Sequence, residues 1–168
     1  MKLTKLLFGL FMLLTASGCR NEESGLDTKF HGMWRLDKIE SLDKESGKWA
    51  YDSAFTGWNG FILYDGQGHM GAHITPKGYK DFDAGKNIDS LNVEGLKDLA
   101  KLYKSNFVYF ANYKIVDGTI EHERLSATNP SDWGSVITRD FEFRNDTIIL
   151  TPHEIIWGKK ARLWWVKL

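Results

Sequence analysis

From Phe30 onward, apolar and polar residues alternate with period two in short runs separated by turn residues, the pattern of half-buried antiparallel strands. Eight runs stand out: Met33–Glu40, Gly60–Tyr64, His69–Ile74, Phe107–Val116, Thr119–Ala127, Ser135–Phe143, Thr147–Thr151 and Arg162–Leu168. Three links are hairpin-like, Asp65-Gly66 with Gly68, Asp117-Gly118 and Asn145-Asp146, all residue types that tolerate the positive φ of tight turns. Strands joined in this way are antiparallel, and a run of eight leaves two open edges unless the sheet closes on itself. The expected fold is therefore all-β, an eight-stranded antiparallel up-and-down barrel, whose interior is either filled by side chains or holds one small ligand.

One segment departs from period two. Leu96, Leu99, Ala100 and Tyr103 recur at helical spacing, predicting a short helix from about Leu91 to Lys104, between the third and fourth strands, that docks on the barrel as a lid or end-plug. Gly95 weakens its first turn by ~1 kcal/mol relative to alanine, so the helix depends on that docking. The preceding stretch, with Pro76 and Gly78, reads as an irregular loop.

The N-terminus has a different character. Lys2 and Lys5 precede the uncharged run Leu6 to Leu14, which is too short for a transmembrane helix and suits a signal-peptide core. Thr15-Ala16-Ser17-Gly18 then leads into Cys19, the only cysteine among 168 residues, and this arrangement resembles a bacterial lipoprotein signal. The resemblance implies cleavage before Cys19 and acylation of its thiol. The expected organisation is a signal peptide over 1–18, a lipidated cysteine and flexible tether over 19–29, and a barrel over 30–168. The protein is then expected in the bacterial cell envelope, membrane-bound through its lipid and placed at the outer membrane, on its periplasmic face or the cell surface. Loss of Lys2 and Lys5 leaves 20 basic against 22 acidic residues, a net charge of −2, which argues against a nucleic-acid partner.

A longer set of residues carries a second resemblance. Gly32-Met33-Trp34 heads the first strand, followed by Gly60-Phe61-Ile62-Leu63-Tyr64, Gly68-His69-Met70, Tyr113, Asp117-Gly118, His122, Pro130 with Trp133-Gly134, Arg139 and Leu163-Trp164-Trp165. In order and spacing these residues resemble the bacterial lipocalin-like domain family, from about Gly32 to Leu168. The resemblance implies a calycin-type barrel in which Trp34 plugs the closed end and a cation from the last strand, here Lys167, lies across its indole.

Alternation also places polar groups inside. His122 shares a face with Ile120, Arg124 and Ser126, and Arg139 shares one with Ile137, Phe141 and Phe143. A buried guanidinium is costly without a partner. Arg139 therefore either anchors a ligand anion or joins an internal network with His122 or a tyrosine. Tyr64, Tyr109, Tyr113, Trp58 and Trp133 are the expected flat walls of such a cavity.

Enzyme signatures are sparse: the sequence holds no nucleophile elbow, phosphate loop, dinucleotide fingerprint or H-E-x-x-H. His69 and His73 on one strand lie roughly 13 Å apart, too far to share a metal, and no metal or cofactor is expected. The expected function is binding of a small, mostly apolar ligand, anionic or neutral, in the barrel cavity. An isomerase-like or cyclase-like enzyme using the same polar cavity, and a filled envelope scaffold with an unidentified protein partner, remain the alternatives. A carrier predicts a cavity of several hundred Å³; a scaffold predicts none.

Overall fold

The tight turns form where their residue types put them. Asp117 and Gly118 take φ of 49° and 77°, and Asn145 takes 53°, in the computed structural model, which describes residues 21–81 and 88–168. The expected signal segment and Cys19 lie outside the described residues, as does the 82–87 part of the expected irregular loop.

Nine strands result: β1 (Gly32–Leu42), β2 (Trp49–Tyr51), β3 (Asn59–Tyr64), β4 (His69–Thr75), β5 (Phe107–Val116), β6 (Thr119–Ala127), β7 (Val136–Arg144), β8 (Thr147–Pro152) and β9 (Ala161–Lys167). β1 and β3 to β9 pair with their neighbours in chain order, and β1 also pairs with β9, from Trp34 opposite Lys167 to Ser41 opposite Ala161. The sheet thus closes as an eight-stranded antiparallel barrel. β2, absent from the expected set, is a three-residue addition that pairs with Glu40–Leu42 at the end of β1.

Inward positions follow the alternation, with one adjustment. In β1 the register with β9 shifts between Leu36 and Lys38, and this bulge moves the inward set from Trp34 and Leu36 to Ile39. Glu40 consequently lies on the outer face, where Arg162 Nε and Lys38 Nζ hold it at 2.6 and 2.8 Å.

The two ends of the barrel differ. The three tight hairpins gather at one end, which a helix closes. This helix, α1 (Asn21–Phe30), occupies most of the stretch expected as a flexible tether over 19–29. Phe30 is wholly buried and packs edge-on against Tyr64, Phe141 and Phe143 with ring centroids 5.0–5.2 Å apart. The Trp34 indole N–H donates to the Phe30 carbonyl at 2.7 Å, and the Tyr113 hydroxyl donates to Asp27 Oδ1 at 2.9 Å. Lys167 Nζ lies 5.2 Å from the Trp34 ring centroid on the same floor.

The long connections gather at the other end and leave it open. They carry α2 (Val93–Ser105), capped by the Asn92 side chain accepting from the Gly95 N–H, and a rim cluster of Phe55, Trp58 and Trp157. The expected apolar face of α2 is only partly used. Leu99 is buried, whereas Leu96 and Tyr103 are largely exposed. α2 therefore rests lightly on the rim.

Candidate functional site

Inside the open half lies a cavity of about 610 Å³. Its walls are mainly apolar, with Ile62, Ile74, Phe107, Leu150, Leu163 and Trp165 among them, and its inner polar surface comes from Tyr109 of β5 and Arg139 of β7. Alternation explains why these side chains point inward: each lies on the inner face of a strand closed on both edges.

Arg139 and His122, expected on inner faces of neighbouring strands, do meet. Arg139 Nη1 lies 3.0 Å from His122 Nδ1, the Tyr109 hydroxyl 2.9 Å from the same nitrogen, and the Tyr64 hydroxyl 3.1 Å from Nε2. A guanidinium only donates, so Nδ1 is an acceptor and the neutral ring carries its proton on Nε2, which donates to Tyr64. Electrostatics agree. Burial, reinforced by the positive charges of Arg139 and Arg124, holds the His122 imidazolium pKa well below its ordinary value. Burial likewise raises Tyr64 well above the usual phenol range and raises Tyr109, so both remain protonated hydroxyls.

The network has a layered arrangement. Tyr109 and Arg139 form part of the cavity wall, whereas His122 and Tyr64 stand behind it toward the closed end. Tyr113 lies deeper still, edge-on to Tyr64 at 5.0 Å and bonded to α1 through Asp27. Trp133, expected as a wall, is outside: it follows the short 3-10 turn Pro130–Asp132, is 59% exposed, and donates its indole N–H to the Ala127 carbonyl at 2.7 Å. Trp58 stands at the rim against Phe55 and Trp157.

Three contributors were not anticipated. Arg124 lines the outer part of the cavity, fixed by Ser135 at 2.8 Å and Asp132 at 3.3 Å. Its position on the His122 face of β6 was the available signal. Glu154, on the β8–β9 connection, brings a carboxylate to 4.0 Å from Arg139 Nη2. Trp165 lines the cavity with its indole N–H buried and unpartnered. For Glu154 and Trp165 no period-two signal distinguishes these roles from packing.

His69 and His73 lie on the outside of β4, bonded to Asp65 and Asn106 respectively. Among the described residues no cluster of three metal-ligating side chains occurs.

The sequence profile of the lipocalin-like domain family matches residues 31–168. Similar solved structures include an uncharacterized protein from Bacteroides eggerthii DSM 20697, at 14% identity and TM-score 0.43, covering 83% of this chain and 99% of that one. A lipocalin-like protein from Bacteroides uniformis ATCC 8492 aligns at 12% identity and TM-score 0.44, again over 83% and 99%. Fatty-acid-binding protein 1 of Echinococcus granulosus aligns at 13% identity and TM-score 0.37, over 84% and 98%. No match was found among curated proteins. With the profile spanning the whole barrel and the closed eight-stranded topology beneath it, the chain belongs to the lipocalin-like domain family.

Proposed function

We propose that the barrel binds a small, largely apolar, anionic molecule, and does so at the outer membrane of a bacterial envelope, held there by a lipid on Cys19. The observation that carries the ligand reading is a cavity of about 610 Å³ with apolar walls and one guanidinium, Arg139, at its inner end. That volume falls in the range of small-molecule sites, which combine apolar lining with a few placed polar groups. Arg139 is 7% exposed, and a cation so nearly withdrawn from water favours an anion that shares the cavity with it. The hollow interior supports binding over a filled scaffold. The placement of His122 behind the wall, neutral and already bonded at both nitrogens, supports binding over proton-transfer chemistry. The anchor reading rests on the sequence around Cys19.

Native mass spectrometry of the mature protein purified from its host envelope tests both parts. The expected result is an N-terminal mass increased by acyl groups at Cys19, with a retained organic acid that organic extraction releases. An unmodified N-terminus would overturn the anchor. An empty barrel that also takes up no fatty or aromatic acid would overturn the ligand site.

A further inference from the structure

The inner end of the cavity has more donors than acceptors. Arg139 offers five N–H groups, Tyr109 one O–H and Trp165 one N–H. Against these stand the lone pair on His122 Nδ1, which Arg139 at 3.0 Å and Tyr109 at 2.9 Å both approach, and the phenol oxygen of Tyr109 itself. The other ring nitrogen cannot relieve the shortage, because it carries the proton and faces Tyr64 at 3.1 Å. Trp165 N–H has no acceptor at all, and the carboxylate of Glu154 stands 4.0 Å from the guanidinium. One lone pair cannot fully satisfy two donors, so Arg139 and Tyr109 compete for Nδ1 and either can turn to another acceptor.

We infer that the inner end of the cavity recognises its ligand by hydrogen-bond sense: it takes an acceptor-only, ionised head of the carboxylate or sulfonate kind. That head receives an Arg139 N–H and the Tyr109 O–H together, and an alcohol of the same shape is disfavoured. The inference rests on the proposed ligand site and adds which head group it selects and which end enters first. Both donors lie within 3.0 Å of one nitrogen, so they are no more than about 6 Å apart, a gap that two oxygens of one head group bridge with ordinary charge-assisted bonds. Tyr109 turns its hydroxyl from Nδ1 to the ligand, and Arg139 retains Nδ1 through one N–H while offering another. His122 is the positioning residue: its tautomer aims both donors at the cavity. An alcohol brings a further donor to a place already oversupplied, and no charge. The apolar remainder of the ligand then runs outward past Ile74 and Phe107 toward Trp157 at the rim.

Two measurements on the mature protein test this. Nitrogen-15 NMR of the histidine side chains reads the tautomer directly. The expected spectrum shows His122 protonated at Nε2 alone; a proton on Nδ1 would overturn the inference whatever binds. Fluorescence titration with cis-parinaric acid and with cis-parinaryl alcohol reads selectivity. The acid is expected to bind roughly 10- to 100-fold more tightly, the worth of one hydrogen bond to a charged group. Tyr109→Phe is expected to remove at least about tenfold of that advantage, leaving the alcohol unchanged. Its unfolding midpoint stays at the wild-type value, because Arg139 still satisfies Nδ1. Equal binding of acid and alcohol, or a Tyr109→Phe loss shared by both, overturns the selectivity while leaving the ligand site intact. Uptake of neither probe overturns both.

Discussion

Phe30→Ala separates a plug from a tether. The Phe30 side chain is wholly buried at the closed end and touches three aromatic rings at 5.0–5.2 Å. Truncating a buried phenylalanine to alanine costs about 3–5 kcal/mol, which combines lost transfer energy with the void left among partly relaxed neighbours. Three edge contacts place the site in the upper part of that range, since each is worth ~0.5–1.5 kcal/mol beyond area alone. The Trp34 bond runs to the backbone carbonyl of Phe30 and does not depend on the side chain. A ten-residue helix is marginal alone, so losing the Phe30 anchor also loosens the Asp27–Tyr113 bond. The expected loss is about 4 kcal/mol, which at a urea dependence of about 2 kcal/mol/M lowers the midpoint by roughly 2 M. The assay is urea unfolding followed by tryptophan fluorescence, with Phe30→Leu, which loses the ring contacts but keeps most of the apolar bulk, expected to lose about 2 kcal/mol. A Phe30→Ala loss below about 1 kcal/mol would refute the plug and restore the tether.

Two further expectations concern the site. His122 is neutral in the native barrel, while in the unfolded chain it takes a proton below about pH 6.5, so the unfolded state binds more protons there and stability falls as pH falls. Wild-type protein should lose up to about 1.4 kcal/mol per pH unit from this group as pH falls below about 6.5, and His122→Gln should show a shallower slope in unfolding measurements over the same acid range. An unchanged slope would show that His122 takes up its proton in the folded state. Trp133→Ala should leave parinaric acid affinity within about twofold of wild type, because its indole lies outside the cavity. A larger loss would place Trp133 against the ligand.

Period-two alternation read most of the barrel because each of its strands has one wet face and one dry face. The tight turns were legible because only a few residue types accept positive φ, as Asp117, Asn145 and several glycines do. β2 was not, since three residues are too few to show a period. The bulge between Leu36 and Lys38 was hidden as well, because a one-residue insertion looks in sequence like a lapse of pattern. α1 is polar for most of its length and carries Gly25, so Phe30 alone signals that it docks. For the site, alternation tells which face a residue occupies and nothing about its depth along the axis. It therefore put His122, Arg139, Tyr64, Tyr109 and Tyr113 inside together, and could not separate Arg139 and Tyr109 in the cavity from Tyr113 near the floor. Trp133 sits in a turn, where alternation has no meaning.

The seam between β1 and β9 ties the beginning of the domain to its end, with Trp34 opposite Lys167. Every other junction of the barrel joins strands adjacent or nearly so in the chain, so most of the sheet can form before β9 emerges. Closure cannot. Until β9 is in place, the domain is an open sheet with β1 and β8 as unpaired edges, and such edges template pairing with other chains. Loss of even a short C-terminal piece should therefore act less like trimming a surface than like leaving the molecule unsealed, with association between chains as the result. The final strand sets the moment at which the protein becomes safe in a crowded compartment.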